Sequence, residues 1–291
     1  MMLLTTTAVL CFCLAAITAE AVTTDEPGVV QGKLIFAHVI FRHGNRTPIV
    51  SYPTDPWRDR RHWPNGWGQL TNLGKRTQYD LGRWLRKRYH HLLGDLYSPD
   101  EIYVLSTDAD RVITSAQVTL AGLYPPTGRD EWHPNIAWQP IPVHVLPRQI
   151  DNLLAVSRPC PAFEEKFFEY QRSEEFQQYN RTIGPALRYM AEHSENRSVW
   201  IYSGHDITIV SLLNGLGLFQ THNPPFGACI MIELRTSPSG TPYVSVIYRD
   251  NQEEPEALHI PGCGTRCPLG RMVQLYKDII PDDWERECGN V

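Results

Sequence analysis

The sequence carries no surplus of positive charge. Its 27 Lys and Arg are outnumbered by 32 Asp and Glu, giving a formal net charge of −5. A dedicated nucleic-acid binder needs a basic face, so no nucleic-acid partner is expected. The sequence also lacks internal repeats and low-complexity tracts, which removes repeat architectures. Nor is there an apolar run of the roughly 20 residues that a helix needs to span a bilayer. The apolar stretch from Ala8 to Ile17 stops well short of that, and no Lys or Arg precedes it. Ala19-Glu20-Ala21 follows with the small-x-small form of a signal peptidase site. Residues 1–21 are therefore read as a signal peptide, with an uncleaved anchor as the weaker alternative. The remainder is expected to be soluble, with no stable membrane anchor after signal cleavage.

The rest is an ordinary globular composition: 291 residues, 42% hydrophobic and 20% charged. Eight Trp and 23 Pro point to a loop-rich fold with shaped pockets rather than a coiled coil. Of seven Cys, Cys11 and Cys13 leave with the signal, and Cys160, Cys229, Cys263, Cys267 and Cys288 remain. Cys263 and Cys267 flank a Gly-containing turn, close enough for a local bridge. Zinc is the other reading of a CxxxC pair, but no second Cys/His pair lies nearby to complete a ligand set. An odd number leaves at least one thiol over in an oxidising compartment. Asn180-Arg181-Thr182 and Asn196-Arg197-Ser198 are glycan acceptor sequences. Asn45-Arg46-Thr47 also matches, but Pro48 follows it, and it is expected to be unmodified.

Lys33–Phe41 is a short apolar, branched and aromatic run of the buried-strand type. From Thr71, a good N-cap, an amphipathic helix is predicted to about Leu93. Glu101–Leu105 is a second strand, and after Ser106–Arg111 a helix runs to about Leu123. Val199–Tyr202 is a third strand, leading through Ser203–Asp206 into a helix ending near Leu216. Ala228–Arg235 and Tyr243–Tyr248 resemble a late strand pair, and Leu269–Ile279 a final helix. Strands alternating with helices indicate an α/β fold with a mostly parallel sheet flanked by helices. In such sheets the ligand site lies beyond the carboxyl ends of the strands.

Three of those ends carry polar clusters. Arg42-His43-Gly44-Asn45-Arg46-Thr47-Pro48 sets two guanidinium groups beside one imidazole. Guanidinium forks fit phosphate oxygens and keep their charge at any pH. An imidazole among fixed cations has its protonated form penalised. It stays neutral in a mildly acidic medium, as a nucleophile toward phosphorus must. The alternative is a solvated Arg/His turn. Arg111 either completes an oxyanion clamp at a helix N-terminus or pairs with Asp108 or Asp110. His205 and Asp206 supply a phosphate donor and a proton donor, unless Asp206 merely caps the following helix.

At these residues the sequence resembles the histidine acid phosphatases, in their prostatic and lysosomal branch. The RHGxRxP form (Arg42 to Pro48) and the pair His205-Asp206 are specific together. The likeness extends to YPTDPW (52–57), WPNGWGQLTNLG (63–74), STDADR (106–111), WQPIPVH (138–144), PGCGTRCPL (261–269) and Cys288. The resemblance implies a phosphatase domain over residues 32–291 with the phosphoglycerate mutase-like, histidine phosphatase fold. It implies His43 as nucleophile, Asp206 as proton donor, and Arg42, Arg46, Arg111 and His205 as phosphoryl ligands. It implies no metal and no cofactor, small phosphomonoesters as substrates, and disulfides Cys160–Cys288 and Cys263–Cys267. A homodimer through Trp138–His144 and a secreted or lysosomal location belong to the same implication.

One departure matters. Relatives carry a mostly helical cap between positions matching Phe176 and Tyr189, where this chain has only Gln177–Arg188. The cap region, around residues 158–196, is therefore expected to be truncated, and the usual partner of Cys229 belongs to the missing part. A more open site, weaker substrate binding and lower stability are expected. Two other readings stand beside the phosphatase. One is a catalytically weak secreted protein that binds phosphorylated ligands. The other is a phosphoglycerate-mutase-like enzyme, which the signal, the disulfides and the quoted blocks oppose.

Overall fold

The computed structural model describes residues 32–51, 54–151, 153–155, 160–162, 198–250 and 254–277, with the single positions 165 and 286. Its centre is β1 (Lys33–Arg42), whose side chains alternate between two layers. Ala37, Val39 and Phe41 share one apolar cluster with Leu81, Leu85, Ala116 and Leu120. Ile40 joins Ile209, Leu212 and Leu213 in a second cluster on the opposite face. Period-two alternation in a nearly continuous apolar strand thus builds helices onto both faces of one sheet.

The first layer is made by α1 (Asn72–Arg88) and α2 (Asp110–Leu123). They cross closely because Gly82 and Gly122 lie at the contact. A Cβ on Gly82 would fall 1.9 Å from the Thr119 carbonyl oxygen. The other face is covered by α3 (Asp206–Gly215) and α4 (Leu269–Tyr276). The first helix stops at Arg88, short of the expected Leu93. There Tyr89 turns into the core and donates its hydroxyl to Glu233 at 3.0 Å. Glu233 is buried and also binds Arg88 and Arg235, each at 2.8 Å.

The remaining strands are β2 (Ile102–Thr107), β3 (His144–Leu146), β4 (Val199–Gly204), β5 (Cys229–Thr236), β6 (Pro242–Arg249), β7 (Glu256–Ala257) and β8 (Cys267–Pro268). Their order is β3-β2-β4-β1-β5-β6-β7, with β8 also on β6. The sheet is mixed. From β3 to β1 all pairs are parallel, as the strand–helix alternation implies. From β5 onward they are antiparallel, because the late strand pair closes as a hairpin and β5 runs against β1. The three-residue edge strand β3 has no legible pattern in the sequence.

The disulfide Cys263–Cys267 is present, which excludes the zinc reading of that pair. Cys160 is disulfide-bonded, while Cys288 lies outside the described residues. Residues 1–21, Asn180, Asn196 and most of 158–196 lie outside them too. Cys229 is a free, buried thiol whose pKa burial pushes up to about 12, so it stays protonated and inert. Among the described residues no helix is long and apolar enough to cross a membrane.

Candidate active site

The parallel strands β1, β2 and β4 end side by side. In register, Phe41 faces Ser203 and Arg42 faces Gly204, while Ser106 also faces Ser203. All three polar clusters therefore meet at one edge of the sheet. The antiparallel β5 enters at that same edge, so residues 224–228 border the site as well.

Two backbone bonds hold the loop after β1 to its neighbours. The Arg42 amide donates to the Ala228 carbonyl (2.9 Å) and the His43 amide to that of Gly204 (3.0 Å). A relay from the helices fixes it from below. Gln78 donates to the Arg42 carbonyl (3.0 Å), and Thr119 donates to Gln78 (2.9 Å). The Gly44 amide donates to Ser115 Oγ (3.1 Å), which donates to the Arg111 carbonyl (2.6 Å). Gly44 and Gly74 pack backbone to backbone. A Cβ on Gly44 would lie 2.6 Å from the Gly74 oxygen, and one on Gly74 would lie 2.2 Å from the Asn45 oxygen. The Asn45 side chain accepts from Thr71, the N-cap of α1, at 2.7 Å. The loop is thereby pinned where α1, α2 and α3 all begin, and these N-termini add positive potential.

Here the solvated-turn alternative fails, since Arg42 is 6% and His43 3% exposed. His43 Nδ1 lies 2.9 Å from the Gly44 carbonyl. A carbonyl only accepts, so Nδ1 carries the hydrogen and Nε2 keeps its lone pair. Arg111 Nε donates to that Nε2 at 3.3 Å. Burial, opposed by the Gly44 bond and reinforced by Arg111, His205 and Arg42, lowers the His43 pKa to about 3. Burial and the Arg111 charge lower that of His205 to about 4. The two rings stand 5.6 Å apart, edge to face.

Arg42 pairs with Asp206 at 2.8 Å, donates to the Pro224 carbonyl, and stacks 4.1 Å over the Phe226 ring. Burial and the neighbouring Arg46 still lower its pKa, although Asp206 raises it. Asp206 is the first residue within α3, after His205 at the N-cap position, and its Oδ1 accepts from the Ile207 amide at 2.9 Å, so its carboxylate serves the helix start as well as pairing with Arg42. Arg111 makes no ion pair among the described residues. Asp110 instead accepts from Gln69 at 2.9 Å. The Nε atoms of Arg42 and Arg46 are buried without an acceptor among the described residues. Three guanidinium groups and two neutral imidazoles thus gather around one carboxylate, a donor set of the kind that can bind a tetrahedral oxyanion.

All six sequence-selected residues converge. Sequence reasoning missed Gln78, Ser115 and Thr119, which lie on the buried faces of α1 and α2. A polar residue on an apolar helical stripe was the available signal. It also missed Pro224 and Phe226, which only the antiparallel return of β5 brings in.

A family model of the histidine phosphatase superfamily (branch 2) matches residues 33–184 and 181–249. The chain belongs to that superfamily. It is 32% identical to the prostatic acid phosphatase of Homo sapiens over 345 aligned positions, covering 89% of each chain. It is 32% identical to the lysosomal acid phosphatase of Bos taurus, covering 88% of this chain and 80% of that one. The 345 aligned positions exceed the 291 residues of the chain, so the human relative has residues with no counterpart here. Among solved structures, a Hafnia alvei phytase in complex with tartrate shares the fold. Its TM-score is 0.65 at 16% identity, over 89% of this chain and 99% of the other.

Proposed function

We propose that this chain is a histidine acid phosphatase, hydrolysing small phosphate monoesters through a phosphohistidine on His43. The observation carrying the proposal is the His43 ring. Its Nδ1–H is held by Gly44, and its Nε2 lone pair faces the guanidinium of Arg111. Substrate phosphate takes over the Arg111 hydrogen bond and is gripped by Arg42, Arg46, Arg111 and His205. Nε2 attacks phosphorus and the P–O bond to the leaving group breaks. As the phosphoryl group takes over Arg42, Asp206 is freed from that ion pair, takes up a proton from the mildly acidic medium and gives it to the departing alkoxide. Water then attacks the phosphohistidine, Asp206 takes back a proton, the P–N bond breaks, and the electron pair returns to Nε2. Catalysis is largely positioning and charge stabilisation, in which one lost donor costs about 10²–10³ in rate.

The shortened cap belongs to the same proposal. Its support is the split family match, which restarts at 181, and the surplus of aligned positions in the human relative. An open site suits a broad substrate range. A homodimer through Trp138–His144 is proposed from the edge position of β3 and the exposed Trp132, Trp138 and Val145 beside it. Secretion or lysosomal residence is supported by the disulfide-bonded Cys160, Cys263 and Cys267 and by relatives named for the lysosome.

The test is phosphate release from p-nitrophenyl phosphate in mildly acidic buffer. Turnover abolished in His43→Ala, with an acid-labile phosphoryl adduct mapped to His43 in the native enzyme, is the expected result. Saturable anion binding without turnover would instead favour a phospholigand-binding protein.

A further inference from the structure

A fourth arginine stands at the fourth parallel strand end. Leu146 closes β3 opposite Thr107, the last residue of β2. The chain then turns, with the Ile150 amide donating to the Pro147 carbonyl at 2.9 Å, and Arg148 projects from this turn. It is exposed and makes no ion pair among the described residues. Its charge reaches the site, where it disfavours protonation of both Arg111 and His205.

The turn is not free to drift. Asp151, buried at its end, accepts from the amides of Leu153 (3.0 Å) and Leu154 (2.7 Å). The Leu154 carbonyl accepts from Thr208 Oγ1 (2.7 Å), and the same Oγ1 accepts from the His205 amide (3.1 Å). The segment bearing Arg148 is thus tied, bond by bond, to the backbone of His205 at the start of α3. Arg148 therefore sits just beyond the end of β3, at the same edge of the sheet as the site, on a segment anchored to His205, whose neighbour Asp206 is the proposed donor to the leaving group.

We propose that Arg148 is a specificity-determining residue that binds a second phosphate carried on the leaving group, so that the site favours bisphosphorylated small molecules over simple monoesters. The inference rests on the phosphatase reading for its orientation of substrate. Arg42, Arg46 and Arg111 serve the transferred phosphoryl group. Arg148 stands outside that set, at the same edge of the sheet, and its charge is felt at Arg111 and His205.

The test compares propanediol bisphosphate with propyl phosphate, which share an alkyl leaving group and differ in its charge. For the native enzyme and Arg148→Gln, the ratio of the two kcat/KM values is measured. The substitution should lower that ratio about fivefold, as for one exposed charge pair, and should act through KM. Propyl phosphate turnover should change by less than twofold. Arg148→Lys should keep most of the preference, Arg148→Glu should reverse it, and added salt should erase it. An unchanged ratio in Arg148→Gln overturns the proposal. If the native enzyme turns over neither compound, the dissociation constants are compared by calorimetry. A bisphosphate preference lost in Arg148→Gln then upholds the role of Arg148 and removes the phosphatase reading, whereas a preference equal in both proteins overturns the proposal.

Discussion

Lowering the pH should destabilise the ligand-free protein in a window set by two histidines. Burial, with nearby guanidinium charges, takes the pKa of His43 from 6.5 to about 3 and that of His205 from 6.5 to about 4. Between these values and 6.5 the unfolded chain binds two protons that the folded chain refuses, so acid favours unfolding. The stabilisation from the neutral rings is complete above 6.5 and falls as pH drops toward 4 and then 3. At pH 5 each ring accounts for about 2 kcal/mol lost relative to pH 7. Both rings are still neutral in the folded state there, so their mutual repulsion does not enter, and the losses add to about 4 kcal/mol. This is a large fraction of the roughly 5–15 kcal/mol that holds a domain folded. Carboxylates titrate lower, near 4, and contribute little across the upper part of this window. Urea unfolding at pH 7, 6 and 5 reads the effect as a falling midpoint at constant slope. His205→Asn should halve the pH dependence. Inorganic phosphate at a hundred times its dissociation constant should return about 2.7 kcal/mol. Equal midpoints at pH 7 and 5, or the same dependence in His205→Asn, would refute the claim that the site holds two neutral, desolvated imidazoles.

Asp206→Asn should spare p-nitrophenyl phosphate, whose leaving group needs little protonation. Turnover of alkyl phosphates should fall about 10²–10⁴-fold, as kcat ratios across a series of leaving groups will reveal. Gly74→Ala places a methyl group 2.2 Å from the Asn45 oxygen, so the His43 loop must move away from α1. A loss of about 1–3 kcal/mol in thermal or urea unfolding, accompanied by a lower kcat, is the expected outcome.

The site was legible in the sequence to an unusual degree because its residues come in short local clusters at strand ends. Arg42, His43 and Arg46 lie within five consecutive positions, and His205 and Asp206 are adjacent. The parallel half of the sheet was legible for a related reason: each apolar run of the expected length preceded a helix with a 3.6-residue stripe. Elements without periodicity were not. The strand His144–Leu146 has three residues, and the end of α1 is decided by the pull of Glu233 on Tyr89 across 144 positions of chain.

By itself, then, the sequence determined the kinds of chemistry present, the order of the elements and the strand ends on which the charges sit. These follow from local composition and periodicity. Tertiary structure alone decided that Phe226 and Pro224 close over Arg42, that Gln78 and Thr119 hold its carbonyl, and that the segment following Arg148 is anchored to His205. Those contacts depend on strand order and register, which are settled by burial across the whole sheet. Only there does desolvation make His43 neutral, since an imidazole in the unfolded chain keeps its ordinary pKa in water.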